Sequence, residues 1–111
     1  MKYRRNEAKD YARAHMRGIW AAALTPFAPD LSIDEAGFRR NLRHWVDDLG
    51  IDGVFVSGKQ GEFFSMSLAE RKRTFEIAVE EIGNRAGTIM SCSDQNMEVV
   101  IELARHAQAI G

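Results

Sequence analysis

Gly58-Lys59-Gln60-Gly61-Glu62 sets a cation and a side-chain amide between two glycines and follows them with a carboxylate. Glycine has no Cβ, so the backbone there can approach a ligand closely and adjacent amides can accept a carboxylate while Lys59 supplies positive charge. The stretch reads as an anion site with Gly58, Lys59, Gln60, Gly61 and Glu62 as its binding residues. Spacing alone fits a second reading equally well, in which the glycines only shape a strand-to-loop turn and Lys59 is solvated.

Two other short segments turn polar in the same way, Thr25-Pro26-Phe27 and Ser91-Cys92-Ser93-Asp94-Gln95. Thr25 is assigned a supporting role, since Thr25-Pro26 first of all stops the apolar run before it. Cys92 follows an apolar segment with no histidine near it in sequence, which marks a small core residue rather than a nucleophile. His15, His44 and His106 fall on predicted helices without ligand spacing, so no metal site is indicated. No motif calls for a cofactor. The loop is not a Walker loop, because its second glycine is not followed by Lys-Ser/Thr.

These three segments gain meaning from the elements that would carry them. Residues 19–24 (IWAAAL) are a continuous apolar run, the mark of a strand buried on both faces as in a parallel sheet. Ser32-Ile33-Asp34-Glu35 fits an S-x-x-E capping box and predicts a helix start. Phe38, Leu42, Trp45, Val46 and Leu49 then form one apolar stripe, with Gly50 as the C-cap. Residues 53–57 read as a second buried strand. Ser67-Leu68-Ala69-Glu70 is a second capping box, opening a helix that turns Leu68, Phe75, Val79 and Ile82 inward and ends near Gly83. Residues 88–92 form a third strand, and Asn96 caps a last helix whose stripe is Val100, Leu103, Ala104, Ala107 and Ile110. Trp20, Trp45 and the methionines read as packing residues.

Strand and helix thus alternate three times with a period of about 30 residues, one crossover unit each. Such units build an α/β fold on a parallel sheet, and the polar segments fall where strands end and helices begin. Three units could open a doubly wound sheet or a barrel, and periodicity does not choose between them. Ahead of them, residues 1–17 are polar, rich in helix formers and closed by Gly18, which predicts a helical extension; residues 18–111 form the α/β portion.

Composition narrows the partners. With 45% apolar and 28% charged residues the chain should pack a core, and 15 basic against 16 acidic residues create no field to gather nucleic acid or anionic lipid. The head is basic and the body acidic: residues 1–17 hold six Lys/Arg, leaving nine basic and fourteen acidic residues beyond. The longest apolar run falls far short of the ~18 residues of a membrane span. One cysteine allows no internal disulfide, which suits a cytoplasmic protein.

The pattern A-x-L-T-P-F at residues 22–27, D-G-V-F-V-S-G-K-Q-G-E at 52–62 and S-L-A-E-R at 67–71 resembles the dihydrodipicolinate synthase / N-acetylneuraminate lyase family, over about residues 18–111. The resemblance implies a parallel (β/α)8 TIM barrel of which this chain carries the first three βα units, and a homo-oligomer, a tetramer in the family. It implies a class I aldolase or lyase that forms a Schiff base between a lysine and pyruvate or a related 2-keto acid. The family's G-T-T-G-E loop binds the keto-acid carboxylate, and its first hydroxyl belongs to a proton relay. Those two hydroxyl positions fall on Lys59 and Gln60, neither of which carries a hydroxyl. Lys59 therefore occupies the relay's catalytic position without its chemistry, and a second carboxylate on the substrate is one partner it could take.

The imine lysine and its neighbouring tyrosine lie on later strands in that family. Lys59 is a poor substitute, because an imine-forming lysine needs a desolvated setting and this one has Glu62 nearby. The expected function is thus an N-terminal segment that supplies the carboxylate-binding loop but not the imine lysine. Two other classes compete: a non-catalytic chain acting only by association through open sheet edges, and a nucleic-acid-binding module using Gly58 to Gly61 as a G-x-x-G loop.

Overall fold

The computed structural model describes residues 3–111, and among them the chain forms three strands and four α-helices. After a single 3-10 turn, α1 (Ala8–His15) precedes β1 (Trp20–Ala22), α2 (Glu35–Arg43), β2 (Gly53–Val56), α3 (Leu68–Ile82), β3 (Gly87–Met90) and α4 (Met97–Ile110). The strands pair in the order β1-β2-β3 and both pairings are parallel, with Trp20 opposite Gly53 and Val56 opposite Met90. The molecule is a slab of 44 × 37 × 20 Å, the thickness of one sheet and one helical layer. Of the predicted leading helix, residues 8–15 are helical; residues 1 and 2 lie outside the described residues.

Side chains alternate along a strand, which sorts the sheet into two faces. Ala23, Val54 and Val56 point to one and are buried with Phe38 and Leu42 of α2, Phe75, Ile77, Ala78 and Ile82 of α3, and Leu103 of α4. Trp20, Gly53, Phe55, Gly87 and Ile89 share the other face by register. There the Trp20 indole lies across both glycines: a Cβ at Gly53 or Gly87 would come within 2.3 or 2.4 Å of it. The expectation that β1 is buried on both faces is corrected. Ile19 and Leu24 are 68% and 59% exposed, because β1 is an edge strand among the described residues.

Local chemistry explains where each helix starts. Ser67 caps α3 as expected: its Oγ accepts from the Glu70 amide at 3.3 Å, and Glu70 Oε2 accepts from the Ser67 amide at 2.8 Å. Asn96 caps α4 by accepting from the Glu98 amide at 2.9 Å. The start of α2 differs from the expected box. Asp34 is the cap, accepting from the Gly37 amide at 2.8 Å, while Ser32 donates its amide and hydroxyl to Asp30 in the turn before. Gly37 makes this possible, since a Cβ there would stand 2.2 Å from the Asp34 carboxylate. Glu35, free of any capping duty, reaches Arg73 on α3 at 2.7 and 2.8 Å.

The apolar stripes depart from simple helical spacing wherever a helix changes period or gains a neighbour. α2 runs into a π-helical turn, His44–Asp48, whose extra residue rotates the remainder of the helix, so Trp45 and Val46 stay against the core while Leu49 is 58% exposed. Gly50 comes next at φ +66°, the left-handed step expected of a helix-terminating glycine, and Gly83 ends α3 at φ +57°. α3 lies between α2 and α4 as well as on the sheet, so it buries a wider arc than a stripe: Arg71, Thr74, Ile77 and Ala78 join Phe75 and Ile82, and Val79 is half-buried. α4 has a neighbour on one side only. It buries Leu103 and half-buries Ala107 and Ile110 but leaves Ala104 exposed, and Met97 at its start faces water.

Outside the core the helices are tied by ion pairs. Arg39 meets Glu80 and Glu81 at 2.6 and 2.8 Å, Arg43 meets Glu81 at 2.6 Å, Arg85 meets Asp47, and Lys72 meets Glu102. The hydrogen bond from Arg73 holds the Glu35 carboxyl below the usual range, and that from Arg39 does the same for Glu81. A depressed folded-state pKa adds stability that is present above the unfolded value and lost as pH falls through the folded one. Urea midpoints should therefore fall between about pH 5 and about pH 3, and Glu81→Gln should flatten that fall.

Among the described residues both edges of the sheet are unpaired, and Ile19, Leu24 and Phe64 are exposed, so apolar surface invites association. Thermal unfolding followed by circular dichroism should be broad and shift with protein concentration; a sharp, reversible, concentration-independent transition would contradict this reading.

Candidate functional site

Parallel pairing sends all three strands out of the sheet in the same direction, so the three polar segments meet on one rim. Specific bonds hold them together there. Thr25 Oγ1 donates to the Gly61 carbonyl at 2.8 Å, joining the first segment to the second, and the Ser91 amide donates to Val56 at 3.0 Å, joining the third. Thr25 is thus a strut of the glycine loop.

Inside that loop three of the four carbonyls of residues 58–61 are engaged and the four amides are not. The Gly58 carbonyl accepts from the Phe63 amide at 3.4 Å, that of Lys59 from the Glu62 amide at 3.1 Å, and that of Gly61 from Thr25. The amides of Gly58, Lys59, Gln60 and Gly61 donate to no group among the described residues. Successive free donors of this kind can form an anion-binding concavity. Lys59, Gln60 and Glu62 are exposed, and neither Lys59 nor Glu62 enters an ion pair among the described residues. Gly58 and Gly61 themselves are buried.

The glycines have a structural reason that spacing does not disclose. A Cβ on Gly61 would lie 2.9 Å from the Ala23 carbonyl oxygen and 3.2 Å from Ser57 Cα, both backbone atoms. A Cβ on Gly58 would meet the Phe55 ring at 2.3 Å. The left-handed step of the turn falls instead on Ser57, at φ +51°, with Glu62 at φ +57°. Ser57 is fully buried, and its Oγ lies 2.7 Å from Thr74 Oγ1. Because the Thr74 proton goes to the Arg71 carbonyl at 2.8 Å, Ser57 is the donor of this pair. A backbone cost of about 1 kcal/mol at Ser57 is offset by a buried bond that locks the start of the loop.

Arg71 is the residue that spacing misses. In the sequence it is only the end of S-L-A-E-R, yet its side chain is 2% exposed and reaches the third segment: it donates to the Ser91 and Ser93 carbonyls at 3.0 and 2.9 Å and pairs with Asp94 at 3.1 Å. Its guanidinium also sits 5.0 Å from the centre of the Phe63 ring. A buried charge demands such partners, and a lone arginine four residues past a capping serine gives no sequence sign of them. Beside it, a cleft of about 590 Å³ is walled by Phe63, Phe64, Met66, Asp94, Gln95 and Val99. Cys92 packs against the core as expected, and burial pushes its thiol up despite the nearby Arg71 charge, which keeps it protonated at neutral pH.

A family model described as the dihydrodipicolinate synthetase family matches residues 15–111. The chain belongs to this family. It is 35% identical over 96 residues to the N-acetylneuraminate lyase of Fusobacterium nucleatum, covering 86% of this chain and 33% of that protein. The N-acetylneuraminate lyase of Clostridium perfringens is 38% identical over 96 residues, with the same two shares. The Fusobacterium nucleatum lyase has been solved complexed with pyruvate; it superposes with a TM-score of 0.83 at 35% identity over 87% of this chain and 33% of that one. Dihydrodipicolinate synthase from Aquifex aeolicus superposes at 0.79 with 26% identity, over 86% and 32%.

The chain spans about a third of the length of these relatives and carries the first three β/α units of the family's barrel, with Gly58-Lys59-Gln60-Gly61-Glu62 at the end of the second strand. That loop leaves a strand of a parallel sheet, whereas the G-x-x-G loop of a nucleic-acid clamp joins two helices, so the clamp geometry is not met. Among the described residues no helix is long and apolar enough to cross a membrane.

Two substitutions test the geometry of the rim. Gly61→Ala should cost clearly more stability than Gly58→Ala, since a backbone obstacle cannot swing away as the Phe55 ring can; urea unfolding of both variants decides it. Arg71→Met should destabilise by about 3 kcal/mol through loss of its buried partners, and amide shifts at Ser91 to Asp94 should move most.

Proposed function

We propose that this chain supplies the keto-acid carboxylate site of a class I, Schiff-base aldolase or lyase acting on pyruvate or a related 2-keto acid. The observation that carries the reading is the run of four unengaged amides at residues 58–61, held on the strand-end rim by Thr25, with the carbonyls of Gly58, Lys59 and Gly61 turned to internal partners. Oriented amides of this kind favour a carboxylate and need no rearrangement to receive it. Gly58 and Gly61 shape the turn, Lys59 and Gln60 lend it their amides, and Glu62 closes it through its bond to the Lys59 carbonyl.

Lys59 stands where the family's relay hydroxyl stands and cannot pass a proton as a hydroxyl does. As an exposed lysine with no desolvating surroundings, it also lacks what an imine-forming amine requires. The imine lysine therefore belongs to a part of the barrel beyond these three units, as does the tyrosine beside it. Residues 1–17 act as a helical extension and residues 18–111 as the barrel portion. Phe64, 66% exposed beside the rim cleft, offers apolar surface for the homo-oligomer that family members form.

Titration of ¹⁵N-labelled chain with pyruvate should shift the amides of residues 58–61 and leave those of Val54 and Val56 in place. After borohydride treatment with pyruvate the mass should be unchanged. Silent loop amides would refute the carboxylate site, and a covalent adduct would refute the assignment of the imine lysine to another part of the barrel.

A further inference from the structure

The amides of residues 58–61 are not the loop's only offer to an anion. Lys59 adds a full charge in their midst, and it is exposed and unpaired among the described residues. The other cation anchored at the rim, Arg71, is buried and committed to Ser91, Ser93 and Asp94. Amides hold an anion about 3 Å from the backbone, whereas the four-carbon stem of lysine carries its ammonium well past that point. One loop thereby presents two positive features at different distances from the chain. Glu62, which would neutralise the ammonium if it folded back, makes no pair with it.

We propose that Lys59 is a specificity residue that selects 2-keto acids bearing a second carboxylate: the amides take the carboxylate next to the ketone, and the Lys59 ammonium takes the distal one. This rests on the carboxylate-site reading above and adds the class of acid to it. Gln60, exposed beside it, has donors and an acceptor but no charge and cannot replace it. Because the ammonium is exposed, the gain is that of a surface ion pair, about fivefold in affinity and sensitive to salt.

The full chain, ¹⁵N-labelled, is titrated with pyruvate and separately with 2-oxoglutarate at low and high salt, for the natural sequence, Lys59→Met and Lys59→Arg. The ratio of the two dissociation constants is read from the amides of residues 58–61, with the Val54 and Val56 amides confirming the fold of each variant. The expected result is a preference of about fivefold for 2-oxoglutarate at low salt, diminished at high salt, abolished by Lys59→Met and kept by Lys59→Arg. If both acids shift the loop equally, or if Lys59→Met retains the preference, the specificity role is overturned while the carboxylate site stands. If neither acid moves the loop, both are overturned.

Discussion

A single buried guanidinium organises this rim. Arg71 leaves the first turn of α3, where Ser67 and Glu70 have already fixed the helix start, and reaches back to the segment following β3. Burying a charge without partners is prohibitive, so the position of Arg71 obliges the carbonyls of Ser91 and Ser93 and the carboxylate of Asp94 to converge on it. Its own carbonyl accepts from Thr74, which accepts from Ser57, and Ser57 begins the glycine loop. Two of the three strand ends are therefore coupled through one residue that contacts neither free amides nor solvent. The third is joined by Thr25.

Around this rim the division of labour between forces is simple. Apolar burial between the sheet's Ala23, Val54 and Val56 and the three helices supplies cohesion. Exposed ion pairs between neighbouring helices contribute little each. Their arrangement matters more for register: Arg39 and Arg43 both grip Glu81, and Arg73 grips Glu35, which fixes how α2 lies along α3.

The alternation of elements is legible because buried strands and capped helices leave strong local signatures. The capping box at Ser67 and the cap at Asn96 are satisfied within a few residues, so they survive translation into three dimensions. Ser32 misleads because Asp34 stands two residues on with Gly37 clearing space for it, a choice settled by sterics that a pattern cannot see. Leu49 misleads because a π-turn changes the period of its helix. At the rim, residue types single out the glycine loop. The approach of the Ala23 carbonyl to Gly61, the bond from Ser57 to Thr74 and the part played by Arg71 are all long-range contacts, and nothing within a few residues of each encodes them.

The walls around Gly58 and Gly61 have an evolutionary corollary. Those two positions are pinned by the Phe55 ring and by the backbone of Ala23 and Ser57, whereas the pair between them is exposed. Mutational freedom is thus concentrated at the two exposed side chains of the turn. A lineage can exchange those two side chains while the scaffold that displays them is left thermodynamically indifferent to the change.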